Sequence, residues 1–286
     1  MKTVAILIPT RNRPEILRRT LKELRCAGLG DKPLIVYDDA SENQDVIGRM
    51  VRSDWPHSQF IRGTERKGQA AGRNLLLRAC PCDLALCLDD DSFPEFSDWI
   101  GEYLRTDWRQ RRLAVATFQY KRLADGKLSI NETSLPCSAT GFLGGASMVH
   151  VSSILSVGGY RDFFVYGYEE PELALRLRLA GFAIWQDPRI VILHNHFNVP
   201  QENRNPGEYD YLYARNGVLL SSLNLPLPLG LPRGIARSLR RALTNRRNAW
   251  AKTKGIIVGI AMTFARWNER TPCSWRDSLG MLYDNR

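Results

Sequence analysis

The 286-residue sequence predicts an α/β protein with a Rossmann-like, mostly parallel central sheet flanked by helices, followed by a basic helical C-terminal tail. Short apolar runs alternate with segments of helical periodicity, which is typical of a parallel sheet with helices on its faces. Two of the apolar runs end in aspartates, and ligands bind at the carboxyl edge of such sheets. We therefore expect a ligand-binding crevice lined by acids.

The first predicted strand spans Val4 to Ile8 and stops at Pro9. Pro14 is well placed for a first helical turn, and apolar residues then recur at helical spacing until Gly28. Leu34 to Tyr37 form the next predicted strand. Further along, the pattern predicts helices over Gln69 to Cys80 and Glu172 to Leu179, and strands over Leu84 to Leu88, Leu113 to Phe118 and Ala146 to Val149.

Acidic residues follow two of these strands. Asp38 and Asp39 come directly after the second strand. Asp89, Asp90 and Asp91 come directly after an uninterrupted apolar run that reads as a strand buried on both faces. Clustered carboxylates repel one another unless a cation or a donor-rich ligand shares their charge, and hard oxygen ligands favour Mg²⁺ or Mn²⁺. The alternative for the triplet is a solvated acidic loop.

Composition narrows the class of protein. A net charge of +10 would suit a nucleic-acid binder, but no recognisable DNA or RNA module is present and the basic cluster lacks interleaved aromatics. The six cysteines lack the paired spacing of zinc sites, so we expect reduced thiols. No signal peptide is visible, and the apolar stretch Gly255 to Ala265 is shorter than the about 20 residues that span a bilayer. We expect a cytoplasmic protein.

Seven segments of the chain carry a resemblance to a known family. They are Val4–Pro14, Ile35–Ser41, Gly68–Asn74, Leu88–Ser92, the glycine pairs of Gly144–Met148 and Gly158–Asp162, and Tyr168–Phe182. In this order they resemble a family 2 glycosyltransferase with the nucleotide-diphospho-sugar transferase fold, called GT-A. The Asp-x-Asp metal motif of that family matches Asp89 and Asp91.

The resemblance implies roles for individual residues. It implies that the nucleotide-sugar donor contacts Pro9, Thr10, Arg11, Arg13, Asp38, Arg73, Asp89 and Asp90. It implies a divalent cation, Mg²⁺ or Mn²⁺, on Asp89, Asp91, His194 and His196. The arginines would neutralise phosphate, and Asp38 would accept a hydrogen bond from the imide of uracil or thymine. The alternatives are ordinary solvated charge for the arginines and a structural role for the histidines.

The expected catalytic base differs from the family pattern. The chain has Glu169 and Glu170 where the family usually has Glu-Asp, and Glu170 is the expected base, with Glu169 as its neighbour. One base that deprotonates the acceptor for direct displacement inverts the anomeric centre. The alternative is a pair of acids that merely complement the dipole of a helix N-terminus, with Pro171 in the first turn.

The resemblance implies an inverting, metal-dependent transfer of a sugar from a UDP- or dTDP-sugar to an acceptor hydroxyl, in glycan or glycolipid biosynthesis. A nucleotide-sugar-binding protein without that activity, or a nucleotidyltransferase that uses the same crevice, is the alternative. A nucleotidyltransferase normally has a Gly-rich loop with Lys and Arg after the first strand. The loop Pro9–Pro14 lacks that pattern, which argues against the last class.

The C-terminal residues have a different composition. We predict a catalytic domain over 1–225, and a Pro-rich linker with a basic helical region over 226–286. From Arg233 to Lys254 the chain has eight Lys or Arg and no acid, and its apolar residues share one helical face. Such helices lie on anionic membranes, although a helix that packs on the catalytic domain is the alternative. Tyr209 to Leu225 resembles a segment of bacterial rhamnosyltransferase-like members that build surface polysaccharides on lipid carriers. That implies a lipid-linked acceptor and a peripheral position on the inner face of the cell membrane.

Overall fold

The computed structural model describes residues 2–42, 44–122, 135–194, 205–244 and 247–278. The chain divides into two compact units. The first comprises Met1–Phe163 and Ala180–Val199, and the second comprises Phe164–Leu179 and Pro200–Arg286. The predicted division into 1–225 and 226–286 is based on composition rather than on contacts within the structure. We keep it as a proposal about which part of the chain is catalytic.

The first unit contains a nine-stranded sheet and five helices among its described residues. Its strands are β1 (Val4–Thr10), β2 (Leu34–Asp38), β3 (Ser58–Arg62), β4 (Leu84–Leu88), β5 (Ser92–Pro94), β6 (Leu113–Arg122), β7 (Cys137–Ser138), β8 (Ala146–His150) and β9 (Ala183–His194). Its helices are α1 (Pro14–Cys26), α2 (Gln44–Asp54), α3 (Gln69–Ala79), α4 (Ile100–Arg105) and α5 (Val151–Ser156). A short 3₁₀ turn spans Asp162–Phe164.

The strands lie in the order β3-β2-β1-β4-β8-β6-β9-β5, and β7 pairs with β9. The four strands β3, β2, β1 and β4 are mutually parallel, and β6 is parallel to β9. β8 is antiparallel to both β4 and β6, and β5 and β7 are antiparallel to β9. The predicted α/β class, with parallel strands at the expected ligand-binding edge, is confirmed.

β1 extends beyond its predicted end at Ile8 and includes Pro9. Ile6 donates its N–H to Pro33 on the β2 side. Because successive residues of a strand bond to opposite neighbours, Pro9 faces the β4 side. The β1–β4 pairing ends at Leu7, so the missing N–H of Pro9 removes no hydrogen bond from that ladder.

The core of the first unit packs the sheet against α1, α2 and α4. Trp108 and Phe118 are buried there, and the ring of Tyr103 lies 6.0 Å from the first and 5.7 Å from the second. The Tyr103 hydroxyl donates to Asp187 at 2.8 Å, so this buried polar group is satisfied. Dense packing of this kind fixes β4 and β6, and with them the edge at which the aspartates emerge.

The second unit is helical. It contains α6 (Glu169–Leu179), α7 (Pro206–Asn224), α8 (Gly230–Thr244), α9 (Ala249–Ala265) and a 3₁₀ turn over Trp267–Glu269. Both α8 and α9 pack on α7 through glycines. A Cβ at Gly234 would lie 2.7 Å from the Val218 carbonyl oxygen, and one at Gly259 would lie 2.8 Å from that of Arg215. The helix backbones therefore approach one another more closely than larger residues would allow.

Two expectations for this unit were wrong. The prolines after residue 225 were expected to exclude a helix, yet α8 contains Pro232 as its third residue. The first four N–H groups of a helix have no intrahelical acceptor, so proline costs nothing there. α6 begins at Glu169 rather than Glu172, and Pro171 lies in its first turn for the same reason.

In the ranges that the structure describes, no helix combines the length and the apolar character needed to cross a bilayer. All six cysteines are free thiols. Burial raises the pKa of Cys87, in β4, to about 12, which keeps this thiol protonated and unreactive.

Candidate active site

Three parallel strands bring the predicted donor-site residues of the first unit to one edge of the sheet. β1 ends at Thr10, β2 ends at Asp38, and β4 ends at Leu88, directly before the aspartate triplet. Because these strands are neighbours in the order β2-β1-β4, their carboxyl ends lie side by side. The two acidic strand ends that the sequence singles out therefore share one edge.

Asp90 joins the triplet to the loop after β1. Its Oδ2 accepts a hydrogen bond from Thr10 Oγ1 at 2.7 Å, and its Oδ1 pairs with Arg13 Nη1 at 2.5 Å. Thr20 donates to the Asp90 carbonyl oxygen at 2.7 Å. Burial raises the pKa of Asp90 to about 7, although the positive charge of Arg13 acts in the opposite direction. Asp90 thus holds the loop residues against the triplet.

Asp91 is held by an arginine and a histidine. Its Oδ2 pairs with Arg13 Nη2 at 2.7 Å, and its Oδ1 lies 3.1 Å from His194 Nε2 at the end of β9. Burial alone would raise the pKa of Asp91, but the hydrogen bond from His194 and the charge of Arg13 outweigh it and lower that pKa. Asp91 is therefore a carboxylate at neutral pH.

Asp89 is the most exposed carboxylate of the three. Its side chain is 28% exposed, against 6% for Asp90 and 4% for Asp91. Its Oδ1 pairs with Arg73 Nη2 at 2.7 Å. A Cβ at position 145 would overlap its carboxylate, so only Gly145 fits there. Asp89 is therefore the triplet member most open to a ligand.

Tyr120 belongs to this site, and sequence reasoning missed it. Its hydroxyl donates to Asp89 Oδ2 at 3.2 Å, and its ring stacks on His194 with centroids 4.5 Å apart. Burial and the nearby carboxylates raise the pKa of Tyr120, so it remains a neutral donor. The predicted strand ended at Phe118, whereas β6 runs to Arg122. The alternation of aromatic and polar residues over 118–121 was the signal that could have extended it.

Asp38 is buried at the end of β2. Its Oδ1 accepts hydrogen bonds from the backbone N–H and the hydroxyl of Ser41. Its Oδ2 lies 3.8 Å from Arg62 Nη1 and accepts no hydrogen bond from the described residues. A buried carboxylate oxygen with this spare capacity is suited to a ligand donor.

Asp39 has a different task from its neighbour. Its carboxylate accepts hydrogen bonds from the backbone N–H groups of Lys67 at 2.7 Å and Gly68 at 3.0 Å, and from the Tyr37 hydroxyl at 3.1 Å. Gly68 precedes α3 with a φ of 85°, a conformation that favours glycine. Asp39 therefore fixes the start of α3, the helix that carries Arg73.

The two residues of the Arg-Asn pair in α3 have different roles, one in the site and one in the fold. Arg73 is buried against Asp89, whereas Asn74 bonds the turn before the 3₁₀ segment. Asn74 Nδ2 donates to the Tyr160 carbonyl oxygen at 2.7 Å and to Asp162, and its Oδ1 accepts from the Tyr160 N–H at 2.8 Å. Asn74 is thus structural.

Arg11 follows β1 in the loop toward α1. Its Nε is buried and has no hydrogen-bond partner among the described residues. A guanidinium N–H in that position is available to a ligand oxygen.

The donor set allows a divalent cation with few protein ligands. In the described part of the chain, no group of three or more His, Cys, Asp or Glu side chains is arranged around a metal position. Asp91 Oδ1 and His194 Nε2 lie 3.1 Å apart, close to the about 3.0 Å that separates adjacent ligands of an octahedral ion with bonds of about 2.1 Å. Mg²⁺ commonly uses one or two protein ligands and completes its shell with substrate phosphate and water. The residues therefore fit such an ion. His196 lies outside the described residues.

Glu169 and Glu170 begin α6 in the second unit. Glu169 is buried and Glu170 is half-buried. They share the first turn with Glu172, which pairs with Arg176 at 2.7 Å. Burial chiefly, and also the charge of Glu169, raises the pKa of Tyr213. Acids at a helix N-terminus are stabilised by the helix dipole, so the structural alternative for this pair stays open.

The turn before α6 has a strained backbone. Val165 has a φ of 57° and Tyr168 a φ of 71°, and positive values are costly for a β-branched or bulky residue. Asn216 of α7 is fully buried, and its Nδ2 lies 2.7–3.0 Å from the carbonyl oxygens of Phe164, Tyr166 and Gly167. Arg215 donates from Nε to Asn216 Oδ1 at 2.9 Å. These contacts hold the turn in its strained form.

Asn216→Ala is expected to lower the free energy of unfolding by about 1–3 kcal/mol, because the buried turn carbonyls lose their donor. Urea denaturation followed by circular dichroism would measure the change. Asn268→Ala is the control, since Asn268 is exposed and surface changes usually stay within about 0.5 kcal/mol. Equal stabilities of the two variants would show that Asn216 does not hold the turn.

Comparison with known proteins shows which family the first part of the chain resembles. Residues 5–134 match the family model described as glycosyl transferase family 2. The chain is also 29% identical, over 218 residues, to the pre-mycofactocin glycosyltransferase of Mycobacterium tuberculosis. The part of the chain over residues 5–134 therefore resembles glycosyl transferase family 2. The alignment covers 68% of this chain and 43% of the relative, so the match spans less than half the length of the curated relatives.

Solved structures confirm the predicted GT-A fold of this chain. GalNAc-T7 with UDP, GalNAc and Mn²⁺ is similar with a TM-score of 0.65 and 12% identity, over 89% of this chain and 54% of that chain. Staphylococcus aureus TarS 1–349 with UDP-GlcNAc has a TM-score of 0.60 and 13% identity, over 91% and 80%. The mannosyltransferase PcManGT of Pyrobaculum calidifontis with GDP-Man and Mn²⁺ has a TM-score of 0.58 and 16% identity, over 99% and 79%.

Proposed function

We propose that this chain transfers a sugar from a nucleotide-diphosphate donor to the hydroxyl of an acceptor. The observation that carries the proposal is the carboxylate edge of the first unit, where Asp89, Asp90 and Asp91 meet Arg13 and Arg73 within the residues that resemble family 2. The solved neighbours named above bind UDP, UDP-GlcNAc or GDP-Man, and two of them contain Mn²⁺. A nucleotide-sugar donor and a divalent cation are therefore the ligands that we propose here.

The charges of the edge favour a metal ion together with the diphosphate. When Asp90 is ionised, three carboxylates face two guanidiniums, so one negative charge is in excess. A diphosphate alone would add to that excess. A divalent cation reverses the sign of the local charge and makes the edge attractive to phosphate.

Asp91 and His194 would hold Mg²⁺ or Mn²⁺, and Asp89, the most exposed carboxylate of the triplet, would contact the donor beside the ion. The ion, when bound, offsets the negative charge that develops on the departing nucleoside diphosphate. Arg11 and Arg73 would donate hydrogen bonds to phosphate oxygens, and charge-assisted bonds of this kind orient the donor.

The residues around the end of β1 would position the nucleotide. Thr10 and Arg13 are held by Asp90, and Pro9 lies in the strand beside them. Asp38 would accept a hydrogen bond from the base through its Oδ2. An imide N–H of uracil or thymine is a suitable donor, so we propose a UDP- or dTDP-sugar.

Glu170 would remove the proton from the acceptor hydroxyl, and Glu169 is the neighbouring alternative. The half-buried state of Glu170 at a helix start, after a turn that Asn216 holds, supports this role. A single base acting in a direct displacement gives inversion at the anomeric carbon. The acceptor that we propose is a glycan or a lipid-linked glycan, with peripheral contact between residues 233–254 and an anionic membrane.

A thermal-shift panel tests the donor proposal. Unfolding of the full chain would be followed with UDP, dTDP, GDP and their sugar conjugates, each with and without Mn²⁺. A ligand at about 100 times its Kd stabilises the folded state by about 2.7 kcal/mol, which is a shift of roughly 5–10 °C for a chain of this size. We expect the shift with a uracil or thymine nucleotide plus Mn²⁺.

Two variants sharpen the panel. Asp38→Asn should weaken the shift by the preferred nucleotide, whereas Asp31→Asn, at an exposed aspartate paired with Lys32, should leave it unchanged. A panel in which no nucleotide stabilises the protein would contradict the proposed donor site. Tight binding without any transfer to acceptors would favour the nucleotide-sugar-binding alternative.

A further inference from the structure

We propose that α9 lies in the interface of an anionic membrane and inserts its exposed apolar side among the lipid headgroups. This side, the α9 stripe, consists of Trp250, Ile257, Ala261, Phe264 and, just beyond the helix, Trp267. The inference rests on the membrane contact proposed above, and it assigns the inserting residues to a different helix from the one that sequence composition indicates.

The α9 stripe is exposed, and it is interrupted only between Trp250 and Ile257, where the exposed Thr253 and Lys254 share its side of the helix. Trp250, Ile257 and Phe264 are seven residues apart, or about two helical turns, so they share one side of the helix. Their exposed fractions are 79%, 60% and 58%. Trp267 is 42% exposed, and its ring stacks in parallel on that of Phe264 with centroids 6.0 Å apart. Large apolar side chains aligned in this way are unusual on a surface that faces only water.

The opposite side of α9 is fixed against α7, so the stripe cannot rotate inward. A Cβ at Gly255 would overlap the Tyr211 carbonyl oxygen. Thr263 Oγ1 lies 2.7 Å from Ser222 Oγ. Only small residues fit at this contact, and the tryptophans of the stripe are far too large to replace them. The outward direction of the stripe is therefore a property of the packed unit.

The charge around the stripe identifies its partner. From Gly230 to Ser278 the chain has eleven Lys or Arg and two acids, Glu269 and Asp277. Glu269 pairs with Arg266 at 2.6 Å, and after both acids have offset one charge each the segment keeps a net charge of +9. A second copy of the chain would bring like charges together at this face, which disfavours self-association. Anionic lipid headgroups complement the surplus, and tryptophan is enriched at membrane–water interfaces.

α8 would supply mainly positive charge to the proposed membrane contact, and few inserting side chains. Sequence periodicity gives it an apolar face, but Ile235 of that face packs against the buried cluster of Ala214, Val218 and Ile256. Leu239 and Leu243 remain exposed. Within residues 233–254, the arginines of α8 would thus supply charge to the membrane contact. The inserting side chains lie on α9, and most of them follow residue 254.

Vesicle co-sedimentation of the full chain tests the inference. Wild type should bind phosphatidylglycerol vesicles at low salt, bind them more weakly as salt screens the charges, and leave phosphatidylcholine vesicles unbound. Ile257→Glu/Phe264→Glu should reduce the partition coefficient at least about tenfold, because charged side chains are poorly accommodated in the apolar boundary. Val46→Glu, at an exposed apolar residue of α2, is the matched control and should bind like wild type.

Changing Arg237 and Arg240 to Glu should weaken binding at least about 25-fold, since each near-surface charge that is removed contributes about fivefold and the new negative charges add repulsion. Insertion has its own readout. Lipids brominated in the acyl chain should quench the tryptophan fluorescence of wild type, and Trp250→Phe should lose part of that quenching. The same variants should keep the wild-type melting temperature and nucleotide shift, which separates this test from that of sugar transfer.

Each other result overturns part of the proposal. If wild type binds but Ile257→Glu/Phe264→Glu binds equally well, the membrane contact stands and the α9 stripe is not its inserting face. If wild type binds no anionic vesicle at low salt, the membrane contact and the inserting role of the α9 stripe are both wrong. A concentration-dependent dimer that Ile257→Glu/Phe264→Glu dissociates would make a second copy the occupant of the stripe.

Discussion

Asp91→Ala is expected to abolish metal-dependent donor binding and transfer. The substitution removes one of the two donors that lie 3.1 Å apart and frees Arg13 from one of its two carboxylate partners. The site then lacks one metal ligand and one of the negative charges that attract the ion. The donor diphosphate therefore loses the cation that would offset its charge. Isothermal titration with Mn²⁺ and a UDP-sugar would measure the loss of binding, and product formation would measure the loss of transfer.

The neighbouring aspartates give the comparison that this test needs. Asp89→Ala should also be severely impaired, because it removes the most exposed carboxylate of the edge. Asp90→Ala should affect metal binding less, since Asp90 is buried against Thr10 and Arg13. Asp31→Ala should behave as wild type. Transfer by wild type that persists undiminished in excess EDTA would exclude the metal assignment while leaving the fold intact.

Glu170→Gln is expected to lower turnover by about 10²–10⁴ while donor affinity changes little. Glutamine keeps the size and hydrogen-bonding capacity of the side chain but cannot accept the acceptor proton, and general-base catalysis contributes a factor of this size. Steady-state kinetics would measure kcat, and the thermal shift with donor would measure affinity. Glu15→Gln, at an exposed acid in the first turn of α1, is the control.

The variant Glu169→Gln shows which of the two neighbouring glutamates is the base. Because Glu169 is buried, the variant must first be shown to fold by its melting temperature. If Glu170→Gln turns over normally while a folded Glu169→Gln is inactive, the base is Glu169. If both retain full turnover, the two acids serve the helix dipole and the base lies elsewhere.

The sequence predicts the acidic edge well because each contributing signal is local. An apolar run followed by aspartates identifies a strand and its end without reference to any other part of the chain, and Asp38 and Asp91 both lie as expected. Parallel pairing then follows from the alternation of strands and helices. The spare acceptor of Asp38 is different, since it depends on where Ser41 and Arg62 fold back.

The contacts that sequence reasoning missed join residues far apart in the chain. Tyr120 meets Asp89 and His194 only because β6 lies beside β9, a pairing that no local pattern indicates. No local pattern in the segment Tyr209 to Leu225 indicates a partner for Asn216, yet it holds a turn about fifty residues earlier. The helical role of Pro232 was missed for another reason, because proline disrupts a helix only beyond its first turn.

The strand order β2-β1-β4 fixes the spacing between the ends of β2 and β4. β1 lies between the strand that ends at Asp38 and the strand that leads to Asp89, so the backbones of those two strands are two interstrand spacings, or about 9.6 Å, apart across the sheet. Neighbouring strands cannot change that spacing without losing their hydrogen bonds. The donor that we propose would therefore meet these two strand ends with its base at Asp38 and its diphosphate near Asp89, across a span that the sheet itself fixes.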